Sequence, residues 1–203
     1  MNLAEVQLRT PISEAEARGL RCGQVVRVSG RIYTARDAAH KYLASSQAEL
    51  PPEVNLAGGV VYHCGPVMIK TVDGGWHVTA AGPTTSAREE PYMAEVIRRY
   101  GLRAVLGKGG MGEKTRRACQ ECGCVYLSAV GGAAQVLAAA VKRVAGVSFL
   151  AEFGSPEAIW ALDVDGLPAI VTMDAHGGDV HAEVLAASAA RLKQAEARGT
   201  AGK

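Results

Sequence analysis

Three stretches of this sequence set a cation beside hydroxyls or backbone amides where a strand should give way to a helix. The first is Gly82-Pro83-Thr84-Thr85-Ser86-Ala87-Arg88. Thr84, Thr85 and Ser86 could each cap the helix that follows. Capping leaves Arg88 unexplained, because a cation in a first helical turn opposes the macrodipole. A bound anion would explain it. The second stretch is Tyr33-Thr34-Ala35-Arg36-Asp37-Ala38-Ala39-His40. Thr34 could cap the next helix and Asp37 favours its dipole, which leaves Arg36 either exposed to solvent or holding an anion. The third is Gly107-Lys108-Gly109-Gly110-Met111-Gly112. A glycine-rich turn ahead of a helix presents backbone N–H groups, and Lys108 adds a charge. This is a candidate carboxylate or phosphate site, or else a tight turn with a solvated lysine.

The third stretch also has the G-x-G-x-x-G form of a dinucleotide-binding turn. That reading wants an acidic residue about 20 positions on, for the ribose. The next strand instead runs into Ser128-Ala129-Val130-Gly131, without a carboxylate. A phosphate-binding P-loop fails because Glu113 interrupts the Gly-Lys-Thr triplet and would set an anion against phosphate. Cys119-x-x-Cys122-x-Cys124 invites a zinc or iron–sulfur reading, but no histidine is local, and small buried thiols are ordinary near a helix end. In His176-Gly177-Gly178-Asp179-Val180-His181, Asp179 suits a helix cap better than a metal ligand. Asp163 and Asp165 read as solvated turn residues rather than paired carboxylates.

These residues need strands and helices to position them. Ser13 and Glu16 have capping-box spacing, so a short helix is predicted from about residue 14. Val25 to Thr34 reads as a strand kinked at Gly30, and 35–48 as a helix. A strand at 59–64 is followed by a hairpin turning at Asp73-Gly74-Gly75. From Gly82 the pattern alternates: helix 86–100, strand 103–106, helix 109–120, strand 125–127, helix 133–141. Such alternation predicts a parallel sheet with crossovers. Strands are predicted at 147–153, 158–164 and 169–173, with Asp165-Gly166 as a tight turn between the last two. An Ala-rich helix at 181–198 and a frayed end from Gly199 to Lys203 close the chain.

A chain of 203 residues is one domain, or one with a small appendage. Charged residues make up 21% and hydrophobic ones 48%, which excludes a disordered chain. A formal charge of only +2 argues against nucleic-acid binding. No apolar run approaches the roughly 18 residues that cross a bilayer, so no membrane partner is expected. Met1 to Val6 lacks the basic and apolar regions of a signal peptide, and a cytoplasmic location is expected. Five cysteines are then expected to be reduced rather than paired.

Arg36, Arg88 and Lys108 together could clamp a small dicarboxylate, for which arginine offers bidentate contacts. Their three segments occur in order, followed by Val125-Tyr126-Leu127-Ser128-Ala129-Val130-Gly131-Gly132 and Ala158-Ile159-Trp160. The ordered set resembles the β subunit of two-subunit class I fumarate hydratases and L(+)-tartrate dehydratases, which is also the C-terminal domain of single-chain class I fumarases. The resemblance covers roughly Leu8 to Asp174. It implies an α/β fold, a swivelling β/β/α domain with a mixed sheet and flanking helices. That domain is expected over residues 1–180, with a C-terminal helix and tail over 181–203.

The resemblance further implies a hydro-lyase acting on a 2-butenedioate-type double bond with a [4Fe-4S] cluster. The cluster cysteines would come from a partner α subunit, in an α2β2 assembly, so that no metal ligand falls on this chain. Arg36, Thr85, Arg88 and Lys108 would hold the substrate, and Thr84 would be the base, its alkoxide stabilised by the neighbouring cations. Asp37 would be catalytic as the acidic partner of Arg36, with His40 its motif neighbour. Fumarate hydration is the expected reaction. L(+)-tartrate dehydration, or a non-catalytic dicarboxylate-binding or assembly module, is the alternative.

Overall fold

Fifteen consecutive residues, Ile159–Met173, form one strand, β9, and its two edges organise the sheet. The computed structural model describes residues 5–200, with side chains as far as Ala195. One edge of β9 pairs antiparallel with β2 (Val25–Thr34). The other pairs antiparallel with β8 (Val141–Ser148) and then with β7 (Val125–Ser128). β2 runs parallel to β1 (Val6–Arg9) and to β3 (Val60–Tyr62). β3 continues in parallel to β6 (Ala104–Gly107), and β6 to β7. The pairing from β2 through β3, β6, β7 and β9 therefore returns to β2, and β1 and β8 are wings on this closed ring. The chain is α/β, a mixed sheet with flanking helices, as the sequence predicts.

Side chains alternate across a strand, and here both faces are covered. Val26, Val28, Tyr62, Leu106, Leu127 and Trp160 belong to one buried cluster. Their strand neighbours Tyr33, Val61, Val105, Tyr126 and Ile159 belong to a second cluster on the opposite face. Helices α2 (Asp37–Leu43), α3 (Glu90–Tyr100) and α4 (Glu113–Cys122) cover the second face with Ala39, Leu43, Met93, Val96, Ile97, Ala118 and Cys119. Each large apolar side chain buried this way contributes about 1.5–3 kcal/mol. A hairpin of β4 (Val67–Lys70) and β5 (Trp76–Ala80) lies against the first cluster, where Trp76 meets Trp160 edge-on at 5.1 Å.

Local signals fix several elements. The capping box is present: Ser13 Oγ accepts from Glu16 N and the Glu16 carboxylate accepts from Ser13 N, opening α1 (Glu14–Gly19). The predicted turn at Asp165-Gly166 is not there. Gly166 takes a left-handed φ of +65°, and the ladder slips between Val28 and Gly30, which makes a bulge inside one continuous strand. Ser29 Oγ accepts from Gly166 N at 2.9 Å and donates to Asp165 Oδ1 at 3.3 Å, holding the bulge closed.

Val147 to Phe153 is not one strand either. β8 ends at Ser148, and Phe149 takes φ +61° before the short helix α6 (Leu150–Phe153). Phe149 and Phe153 thereby pack on Tyr42, with ring centroids 4.9 and 5.8 Å away. Helix α5 (Ala134–Ala139) is shorter than predicted, because Val141 joins β8 opposite Val164. Strand β1 has no counterpart among the predicted elements, being only four residues long. The terminal helix α7 (Val180–Thr200) runs through Gly199, where fraying was expected, and residues 1–4 and 201–203 lie outside the described ones.

Thr34 joins the two edges of the ring. Its Oγ1 donates to Ala158 O at 3.3 Å and accepts from Trp160 N at 3.0 Å, fully buried. Thr34→Val keeps the shape but strands the Trp160 N–H, so urea unfolding should show a loss of about 1–3 kcal/mol. A loss below about 0.5 kcal/mol would show that the seam does not depend on this hydroxyl.

Candidate active site

The carboxyl ends of β2, β3, β6 and β7 form one rim, since Thr34 aligns with Tyr62, Tyr62 with Leu106, and Gly107 with Ser128. Crevices at such rims are where parallel sheets hold ligands. Arg36 follows β2 and stands at the entrance of α2 without capping it by its side chain. Thr34 does not cap α2, because its hydroxyl serves the β9 seam. The cap comes from Glu157, distant in sequence, whose Oε2 accepts from Ala38 N at 2.9 Å. Glu157 Oε1 also stands 3.5 Å from Arg36 Nε. Gly65 leaves room for the Arg36 side chain: a Cβ there would stand 2.8 Å from its Nη1.

The Thr84-Thr85 stretch crosses the rim between β3 and β6. Thr84 N donates to His63 O, and Thr85 bridges to Lys108. A 3-10 turn, Ser86–Glu89, follows, and Thr85, Ser86 and Thr84 do not cap it as expected. Ser86 is instead a fully buried hub. Its Oγ accepts from Lys108 N at 3.2 Å and from Tyr126 Oη at 2.8 Å, and donates to His63 Nδ1 at 2.8 Å. Burial drives the His63 imidazole well below its usual range, which keeps it an acceptor. Gly107 must be glycine: a Cβ would overlap Ser86 Oγ and lie 3.1 Å from His63 Nδ1.

Thr84 is half-buried, Thr85 exposed, and Lys108 half-buried. Arg88 donates to both Asp37 oxygens, at 3.2 and 2.6 Å, from an exposed position. Asp37 thus partners Arg88, whereas the expectation set it against Arg36. The reason is direction: the first residue of α2 points along the rim, and Arg36 turns inward to Glu157. The structure therefore ties Asp37, next to Arg36, to the Thr84–Arg88 turn, and that turn to Lys108. All six expected site residues share one rim.

The helix end that follows the glycine turn is not open to an anion. Glu90 already fills the N-terminus of α4, accepting from Gly112 N at 2.7 Å, Lys114 N at 3.0 Å, Thr115 N at 3.3 Å and Thr115 Oγ1 at 2.6 Å. A phosphate there would meet a carboxylate, so the dinucleotide and P-loop alternatives fall with it. Lys108 keeps its place on the rim, with its stem passing Gly131.

The remaining candidates have structural work. Cys119 and Cys124 are buried and Cys122 half-buried, and all five thiols are free. His176 Nε2 meets Arg18 O at 2.7 Å, and Asp179 caps α7 by accepting from Ala182 N at 3.0 Å. Asp163 is held by Arg31 and Arg143, so it is a paired strand residue rather than a turn residue. Among the described residues, no group of three or more His, Cys, Asp or Glu side chains is placed to hold a metal ion.

Sequence reasoning missed Glu89, Glu90 and Glu157, whose partners lie far along the chain. Glu89 is fully buried beside His40 and Arg88. Burial, then the charges of Asp37 and Glu157, push its carboxyl up to about 7, against the pull of Arg88 and Arg36. Glu90→Ala removes the cap of α4, and a loss of about 2–4 kcal/mol in urea unfolding is expected. An unchanged midpoint would show that solvent replaces it.

The profile of the Fumarase C-terminus family matches residues 1–184. A protein of Geobacillus stearothermophilus, provisionally named a class I fumarate hydratase, is 51% identical over 93% of this chain and 36% of its own length. A protein of Methanocaldococcus jannaschii, provisionally named an L(+)-tartrate dehydratase subunit beta, is 41% identical over 85% of this chain and 89% of its own. The L(+)-tartrate dehydratase subunit beta of Escherichia coli is 34% identical over 87% of this chain and 86% of its own. The chain spans about a third of the Geobacillus relative and most of the two subunit relatives. With nearly all of its folded length matched, this chain belongs to the Fumarase C-terminus family.

Proposed function

We propose that this chain is the β unit of a hydro-lyase that adds water reversibly across the double bond of fumarate to give L-malate. The observation that carries the reading is the shared rim. The Thr84–Arg88 turn is tied to Asp37, the neighbour of Arg36, on one side and to Lys108 on the other. Arg36, Arg88 and Lys108 are the groups to hold a doubly charged acid, with Thr85 orienting it. Asp37 belongs to the catalytic set as the group that fixes the Arg88 guanidinium through a two-oxygen pair.

In dehydration, Thr84 Oγ1, as the alkoxide, would take the proton from the carbon next to the hydroxyl-bearing one while the C–O bond of the latter breaks and its hydroxide leaves, a departure for which the partner's cluster would supply the Lewis acid; in hydration both are returned. A threonine alkoxide is costly in water. The neighbouring cations supply the stabilisation that makes it accessible.

The resemblance implies a [4Fe-4S] cluster, and this chain's thiols do not fit as its ligands. Cys64, Cys119 and Cys124 are buried, and burial pushes the Cys64 thiol up to about 12, which keeps it protonated. The Cys22 thiol is likewise pushed up to about 12, by burial and by Asp174. The cluster belongs to the partner in this reading. The length of the Geobacillus relative supports such a partner: the part that this chain does not cover would be an α unit. We assign an α2β2 assembly in the cytoplasm. Among the described residues no helix is long and apolar enough to cross a membrane.

A second reading, L(+)-tartrate dehydration, is favoured by the nearly full-length match to two subunit relatives. Co-expression with a cysteine-bearing α chain, purified without oxygen, decides between fumarate and L(+)-tartrate as the faster substrate. Thr84→Ala in that complex should lower kcat by about 10²–10⁴-fold. Arg88→Lys should raise KM by roughly tenfold, because the two-point contact is lost. Unchanged rates in Thr84→Ala, or full turnover by this chain alone, would overturn the proposal. Binding without turnover in the complete complex would make the chain a dicarboxylate-holding module.

A further inference from the structure

Glu89 ends the 3-10 turn directly after Arg88, yet its side chain turns inward. It is 0% exposed, and neither carboxyl oxygen has a hydrogen-bond partner. His40 Nδ1 stands 3.4 Å from Oε2. That nitrogen already donates to Arg36 O at 2.9 Å. His40 is also fully buried, its Nε2 is unpartnered, and its ring meets His63 edge-on at 4.8 Å.

Charged and titratable groups face Glu89 from every side. Asp37 and His40 come from α2, and Arg36 from the junction before it. Glu157 comes from the segment after α6, and Arg88 from the turn itself. His63, behind His40, closes the set at the end of β3. Burial pulls the His40 imidazole down to about 4, so it is neutral and supplies no counter-charge. An ionised carboxylate without donors, flanked by two acids, is far costlier to bury than the neutral acid.

We infer that Glu89 is a positioning residue whose charge is set against the anion held by Arg36 and Arg88, neutral while the anion is bound and ionised only at the expense of that binding. The inference rests on the reading of those arginines as anion-holding. The sign follows from the surroundings. At low pH Glu89 is uncharged, and both guanidinium groups face the anion without an internal competitor. As pH rises through about 7, Glu89 ionises beneath them and the affinity falls. Reciprocally, a bound dianion moves the Glu89 titration upward by the same factor, on the order of fivefold to tenfold. The acid therefore links the substrate-holding cations to solution pH without touching the substrate.

Carbon-13 NMR of the full chain, labelled at glutamate Cδ and titrated from pH 5 to 9, tests this directly. One glutamate should titrate near 7, with its signal missing in Glu89→Gln. Its midpoint should move down in Asp37→Asn and up in Arg88→Gln. If every glutamate titrates in the ordinary carboxylate range, the inference is wrong, and the wild-type chain alone shows this should Glu89→Gln fail to fold. A midpoint unmoved by both Asp37→Asn and Arg88→Gln would also overturn it.

In the complex with the α partner, KM for fumarate should rise about fivefold or more between pH 6.5 and 8.5. In Glu89→Gln that rise should flatten to less than twofold, with kcat following its original profile. A complex inactive on fumarate and L(+)-tartrate, with the NMR titration as described, would sink the proposed reaction and leave the charge linkage standing. Turnover with a pH-dependent KM identical in Glu89→Gln would do the reverse.

Discussion

The architecture depends on one long strand being bonded along both edges. β9 joins β2 on one side and β8 and β7 on the other, and the bulge at Gly166 lets it bend without breaking. Closing the ring forces the carboxyl ends of β2, β3, β6 and β7 onto a common rim. The segments that leave those ends are then near neighbours, however far apart in sequence. Arg88 can reach Asp37, and Thr85 can bridge Lys108, because the strands beneath them are already in register.

The rim is also arranged electrically. Arg88 is oriented by Asp37, and Arg36 lies beside Glu157, which itself caps α2. Below them sits a layer of buried polar groups: the neutral His40, His63, Ser86 and Tyr126, and Glu89, whose carboxyl is pushed up to about 7. Burial explains their neutrality, since it disfavours the charged form of imidazole and carboxyl alike. The same layer fixes the backbone, because Ser86 Oγ receives both the Lys108 amide and the Tyr126 hydroxyl. Positive charge stands at the surface, and Ser86, Tyr126 and the histidines beneath contribute hydrogen bonds, while Glu89, without partners, is the group there that can set a competing charge against it.

What could be read from the sequence was what depends on neighbours a few residues away. The capping box at Ser13 and Glu16, the hairpin at Asp73-Gly74-Gly75 and the apolar face of α3 are of this kind, and all are present. So is the order of the three basic junctions. Thr34 was misjudged because a local rule made it a cap, while a buried seam between distant strands needed its hydroxyl more. Asp165-Gly166 was misjudged because a tight turn and a bulge use the same residues. Glu90 and Glu157 carry no local mark of their roles, since each caps a helix remote in sequence. The Asp37–Arg88 pair likewise exists only once the ring has closed.

Glu90 has one more consequence. The turn Gly107–Gly112 has the glycine pattern of a nucleotide cradle, but the protein has plugged it with its own carboxylate. Adenine and nicotinamide coenzymes, abundant wherever dicarboxylic acids are metabolised, would have to evict an internal anion to lodge there. The protein is thereby closed at this turn to the phosphates of such coenzymes.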